Sequence, residues 1–265
     1  MTDNNGNYLR QKSADHSCDH SSDYPLRYSI IIPAWNESDF IQQTLNTALE
    51  VQKDHSLHGD IIVVDNNSTD NTATKAAMPG VTVVFELINQ IGRARNTGAA
   101  ATDADFLIFL DADTTINSAL LTQTLTALGS GKVIGGGSTV AFDKEIKGSA
   151  KRVINFWNWC SKKFSAAAGC YLFCTREAFN AVGGFDEKQY VAEELVLSGK
   201  LRRYAKTNSK EFVIFDNSPV VSSARKLNWF SRRQKIMQLL LLLIPGATRS
   251  KKLLGMWYDR SRIHK

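Results

Sequence analysis

At 265 residues, with 43% apolar and 22% charged side chains, the chain can bury one large core, and nothing in its make-up sets it apart from ordinary globular proteins. The net charge of +6 is uneven: from Arg225 onward eleven Lys and Arg face one acid, Asp259, giving +10, so the preceding residues sum to −4. A near-neutral body with a basic tail excludes a nucleic-acid surface spread over the whole protein; it suits a tail that meets phosphates or an anionic membrane, or simply a soluble basic helix pair.

Residues 1–24 are polar and read as a disordered leader. His16, Cys18 and His20 lie close in sequence there, but nothing nearby would fix them as metal ligands. The leader lacks the apolar core of a signal peptide, and the cysteines (Cys18, Cys160, Cys170, Cys174) do not suggest a disulfide scaffold. The expectation is a cytosolic, reduced protein. No run reaches the roughly 18 apolar residues of a membrane span.

Residues 25–225 read as one catalytic domain. The apolar run 29–33 (SIIIP) predicts a strand buried on both faces, followed by a helix with Phe40, Ile41, Leu45, Ala48 and Leu49 at helical spacing, capped by Asn36 or Ser38. Residues 60–65 (DIIVVD), 81–86 (VTVVFE) and 105–110 (DFLIFL) predict three more strands, with an Ala-rich helix over 92–101. Alternating strands and helices imply an α/β architecture with a mostly parallel, Rossmann-like sheet and flanking helices. Ligands in such sheets bind beyond the carboxyl ends of the strands, which selects 33–37, 65–70 and 111–113.

Further on, a helix over 119–128 leads to a strand over 132–140. Its Gly135, Gly136 and Gly137 mark close approach by a ligand or another backbone. A helix over 153–164, a strand over 169–175, helices over 177–182 and 193–205, and two short strands at 212–215 and 220–221 follow. Phe156, Trp157 and Trp159 could stack on a sugar, though their spacing favours core packing for Phe156 and Trp157. Cys170 and Cys174 read as strand packing. Residues 226–265 read as a helical, basic, amphipathic extension. An apolar stripe of Trp229, Ile236, Met237, Leu240, Leu243 and Ile244 would lie on an anionic membrane or pack on the domain.

The acids at the strand ends carry the chemistry. Asp111 and Asp113, spaced i, i+2 after a buried strand, can share one oxygen-loving cation such as Mn²⁺ or Mg²⁺, leaving positions for water and phosphate; acids that merely cap a turn are the plain alternative. Asp65 can accept from a base N–H, while residues 68–70 suit capping of the next helix.

Four segments in order, SIIIPAWNE, DIIVVDNNSTDNT, IGRARNTGAAATDADFLIFLDADT and VGGFDE with AEELVLSGKLRR, resemble the signatures of family 2 glycosyltransferases, which have the GT-A fold. The likeness runs from about Tyr28 to Arg225. It implies that Pro33, Trp35 and Glu37 border the nucleotide base and ribose, and that Asp65 contacts the base. Gly92, Arg93 and Asn96 would line the donor pocket, Arg93 as a phosphate or sugar contact. Asp111 and Asp113 match the metal motif, with Asp113 the direct ligand. Relatives usually read Asp-Asp-Gly-Ser-Thr-Asp where this chain has Asn66 and Asn67, a departure that bears on base or ribose contacts.

The family's catalytic base comes from a Glu-Asp pair, which here reads Glu193-Glu194. Glu194 stands in the place of the aspartate and reaches about 1.5 Å further; Glu193 is the other candidate. Arg225 would close over the leaving group. The implied activity is inverting, metal-dependent transfer of a sugar from a UDP- or GDP-linked donor to a saccharide or lipid-linked acceptor. The competing readings are a non-catalytic sugar-nucleotide binder and a nucleotidyltransferase, whose Gly-rich phosphate loop PAWNES does not supply. The expected location is cytoplasmic, or peripheral on the inner face of the membrane.

Overall fold

The computed structural model describes residues 26–53, 55, 57–225 and 247–249. The leader at 1–24, with its His16, Cys18 and His20, and the amphipathic stripe of the basic extension lie outside them.

Apolar runs become strands, and their order sets the site. The strands are β1 (Arg27–Ala34), β2 (His58–Asp65), β3 (Val81–Phe85), β4 (Phe106–Leu110), β5 (Thr114–Thr115), β6 (Val133–Phe142), β7 (Tyr171–Thr175) and β8 (Glu211–Ser222). They form one sheet in the order β3-β2-β1-β4-β7-β6-β8-β5. The first four are mutually parallel. β7 runs against both β4 and β6, β8 parallels β6, and β5 closes the far edge antiparallel to β8. The expected mostly parallel α/β sheet is therefore present, with β7 and β5 reversed.

Alternate side chains of each strand feed two cores. Tyr28, Ile30 and Ile32 join Ile61, Val63 and the apolar faces of α1 (Ile41–Lys53) and α4 (Ser118–Gly129) on one side. Ile31, Ile62 and Val64 join α3 (Ile91–Ala100), α6 (Arg176–Ala181) and α7 (Glu193–Thr207) on the other. Burial on both faces explains why β1, β2 and β4 read as unbroken apolar runs; each such side chain contributes about 1.5–3 kcal/mol. Gly98 lets α3 lie tight on the sheet, since a Cβ there would stand 2.3 Å from Ile31 Cγ2.

Several expectations need correction. Neither Asn36 nor Ser38 caps α1: Phe40 and Ile41 donate instead to the Glu37 carbonyl, and Asn36 accepts from Thr69 N across the loop. Residues 212–215 and 220–221 belong to a single strand, β8, which carries its polar middle past a register shift opposite 138–140. β5, two residues long, is too short to leave a periodic signal. Phe156 is exposed rather than packed in the core. The glycines of β6 do mark close backbone approach: a Cβ on Gly136 would lie 2.2 Å from Val213 O.

Candidate active site

The site is assembled at the carboxyl ends of β1, β2 and β4 and the start of α7. Register places Asp65 opposite Ala34, so the end of β2 and the 35–37 loop lie side by side. Asp65 accepts from Ser68 N, and Asp70 accepts from Thr72 N and Ser38 N, tying the loop to the start of α2 (Thr72–Ala76). Asn66 is buried and fully occupied: its amide donates to Glu86 O and Ile88 O and accepts from Gln90 N. An aspartate there could not donate those two bonds, so the departure from the family pattern is absorbed inside the fold. Asn67 has φ +61°, a left-handed conformation that Asn tolerates and that suits the glycine usual at this position.

Asp111 and Asp113 sit directly beyond β4. Each is met by an arginine. Arg225, after β8, donates through Nε and Nη2 to Asp113 Oδ2 at 3.2 Å and also to Glu37 Oε2, with its guanidinium 4.0 Å above the Phe40 ring. Glu37, Asp113 and Arg225 thus come together, alongside a small cleft bordered by Phe40, Thr44, Thr115 and Ser222. The donor set here is oxygen alone, two carboxylates beside hydroxyls, which suits a hard divalent cation. Among the described residues no three His, Cys, Asp or Glu side chains converge as a metal group, so an ion held by Asp111 and Asp113 would complete its shell with water and phosphate oxygens.

Arg95 was not singled out from the sequence, yet it joins the two halves of the site. It is 1% exposed. Nη1 donates to Glu193 Oε1 at 2.7 Å, Nη2 to Asp111 Oδ1 at 3.0 Å and to Gly169 O at 2.7 Å, and the group lies 5.2 Å from the Phe185 ring centre. A signal was available: Arg95 shares its helix face with Gly98 and Ala99, and a long cation on a face of small residues packed against a sheet must be buried and paired.

Glu193 and Glu194 open α7, preceded by Ala192 in a left-handed conformation (φ +61°). Glu193 is buried. Desolvation raises its pKa, against the pull of Arg95. Glu194 is half-buried over Gly169, where an added Cβ would lie 3.4 Å from its carboxyl carbon. Burial and then the neighbouring Glu193 push the Glu194 carboxyl up to about 8.

Arg93 points elsewhere, to Glu86 Oε1 at 3.3 Å and Glu187 Oε2 at 2.5 Å. Asn96 clamps the turn at 183–187, accepting from Phe185 N and donating to Phe185 O and Glu187 Oε1. Gly184 (φ +62°) is required beneath it, because a Cβ would meet Asn96 Oδ1 at 2.9 Å. Cys174 is buried in β7 and Cys170, just before that strand, is partly buried; neither forms a disulfide.

This sheet, with its Asp-x-Asp pair beyond β4, defines a GT-A protein. The chain belongs to glycosyl transferase family 2, whose model matches residues 29–187. That match ends before Glu193 and so does not cover the acid pair. The glycosyltransferase AglE of Haloferax volcanii is 31% identical over 169 residues, 59% of this chain and 55% of that protein. The chain spans about half the length of the relatives it matches. Among solved structures, the mannosyltransferase PcManGT from Pyrobaculum calidifontis, in complex with GDP-Man and Mn²⁺, superposes with a TM-score of 0.62 at 20% identity, covering 83% of this chain and 63% of that one. Glucosyl-3-phosphoglycerate synthase from Mycobacterium tuberculosis, in complex with Mn²⁺, UDP and glucosyl-3-phosphoglycerate, gives 0.57 at 18%, covering 81% and 79%. At such identities these two likenesses speak for the fold.

Proposed function

We infer that the protein moves a sugar from a nucleoside-diphosphate sugar, UDP- or GDP-linked, to a hydroxyl of a saccharide or lipid-linked acceptor, with inversion at the anomeric carbon. The observation that carries this reading is the continuous Asp111–Arg95–Glu193 chain, which sets an acid pair beside the Asp-x-Asp motif.

Pro33, Trp35, Glu37 and Asp65 would receive the base and ribose. Asp111 and Asp113 would hold Mn²⁺ or Mg²⁺, which when bound neutralises the diphosphate leaving group. Arg225 would trade Asp113 and Glu37 for diphosphate oxygens, and Arg93 would trade one of its two acids for a donor oxygen. Asn96 serves the donor side through the turn it fixes. Glu193 is committed to Arg95, which leaves Glu194 as the base. Glu194 takes the acceptor hydroxyl's proton as that oxygen bonds to the anomeric carbon, and the bond from that carbon to the diphosphate breaks with its electron pair. A carboxylate held near 8 is a stronger base than an ordinary one, which suits this step.

Glu194→Gln should lower transfer, or donor hydrolysis, by about 10²–10⁴ while donor binding persists. Full activity in that variant would remove Glu194 from the role, and a product of retained anomeric configuration would refute inversion.

A further inference from the structure

Helix α5 (Gly148–Phe164) carries large apolar side chains on its outer face. The side it turns inward is mixed: Ile154 and Trp157 are partly buried there, Asn158 bonds both the N–H and the carbonyl of Val140 on β6, and buried Ser161 bonds the Ala166 carbonyl just past the helix. None of its residues belongs to either hydrophobic core. Four other apolar side chains face out, with Val153 67%, Phe156 65%, Trp159 53% and Phe164 56% exposed. Phe156 stacks on Trp159, and Trp159 meets Phe164 edge-on, so the rings form one patch. Contiguous exposed aromatics of this kind mark an interaction surface.

Charge identifies the partner. Arg152, Phe156, Trp159 and Lys163 follow one another at helical spacing along the outermost line of the helix, with Lys151 and Lys162 beside them. All four basic side chains are exposed, and α5 contains no acid. Lys162 pairs with Asp216 across to β8, at a surface position. Aromatic rings interleaved with Lys and Arg are the composition of a helix lying in a headgroup layer, the rings entering the acyl boundary and the cations meeting lipid phosphate. A protein partner seated on the same face would have to be strongly acidic around an apolar centre; an anionic bilayer supplies both features at once.

We propose that α5 is a membrane-contact helix, docking the protein through Phe156, Trp159, Phe164 and their basic neighbours on an anionic lipid surface, and that the acceptor is carried by that bilayer. The fold gives the docking a consequence. From Phe164 the chain runs directly to Gly169, whose carbonyl receives Arg95 and whose Cα underlies Glu194. The carboxyl end of α5 is thus five residues from Gly169, which underlies the proposed base, so docking through α5 would bring a bilayer-borne acceptor to that end of the molecule. This second part rests on the transferase reading above.

The test is flotation or sedimentation of the full chain with phosphatidylcholine vesicles, with and without phosphatidylglycerol. Wild type should bind the anionic vesicles. F156S/W159S should need at least about tenfold more lipid for half-binding, and R152E/K163E should lose the preference for phosphatidylglycerol. Both should keep the wild-type melting temperature, because the side chains are exposed. Wild type that ignores anionic vesicles, or F156S/W159S binding as tightly as wild type, overturns the proposal. So does a fall in melting temperature or a change of oligomeric state in F156S/W159S, which would show the patch covered by this chain or by a second copy. Nucleotide-induced stabilisation, measured alongside, separates the two ideas: its absence counts against the transferase reading and leaves the vesicle result standing.

Discussion

The parallel half of the sheet, β3-β2-β1-β4, and the half that begins at β7 solve the same problem in different ways. In the first, side chains are fixed by short-range means: buried strands end together, and Asn66, Asp65 and Asp70 are pinned by backbone groups a few residues away or on the adjoining loops. In the second, position depends on long arginines reaching across the molecule. Arg95 crosses from α3 to α7, and Arg225 crosses from the end of β8 to Asp113 and Glu37. The first half is therefore set by the sheet itself, whereas the second is tied to it by buried charge. Such ties are strong only while complete: a buried ion loses its compensation when one partner is removed.

Breaking the tie at Arg95 should have the largest effect. Arg95→Met leaves Asp111 and the buried Glu193 uncompensated, with an expected loss of about 3–5 kcal/mol in urea unfolding. Arg95→Lys should recover part of it, since one ammonium cannot span three acceptors in the guanidinium's geometry. Unchanged stability in Arg95→Met would mean that the two halves are not joined through this side chain.

Within the parallel half, Asn66→Asp should cost about 1–3 kcal/mol by leaving Glu86 O and Ile88 O without their donor, read from the same unfolding curves. A neutral result would show that Asn66 is not the pin of that half.

The acid pair gives a pH test with two signs. The Glu194 carboxyl is raised from the ordinary carboxylate range to about 8 in the folded protein, so the folded state holds the proton more tightly than the unfolded chain. Stability should fall as pH rises between the two values, while kcat/KM rises across the same window as the base ionises. Because Glu193 and Glu194 titrate together, the profile reports the pair. Glu194→Gln should flatten both trends, and a profile with its acid limb unchanged in that variant would contradict the assignment.

The smallest effect is expected at Ala192, where replacement by Gly should stabilise the protein by about 1 kcal/mol by relieving the left-handed backbone ahead of the pair. A loss of stability instead would show that the side chain's contacts outweigh the strain.

The same division explains what was legible in the sequence. Runs such as SIIIP and DIIVVD identify strands because burial on both faces leaves nothing but apolar residues, and their ends then identify Asp65, Asp111 and Asp113. The half that begins at β7 hides its logic. β8 looked like two strands because its polar middle, with Pro219, sits beyond a register shift. Phe156 read as core because helical spacing tells which residues share a face, not whether that face turns inward. Arg95 was passed over for Arg93 because adjacent cations on a helix differ only in the face they occupy, and that face was written in Gly98 and Ala99. The likeness to known transferases placed Glu193 and Glu194; only the fold showed that the first is held by Arg95.

The most direct test of the central assignment is thermal stabilisation by UDP- and GDP-sugars with and without Mn²⁺, for wild type and Asp113→Asn. The expected result is a metal-dependent rise for at least one donor, worth about 2.7 kcal/mol at a hundredfold excess over Kd, and abolished in Asp113→Asn. Equal stabilisation of both proteins, or of neither, would contradict a donor site built on Asp111 and Asp113.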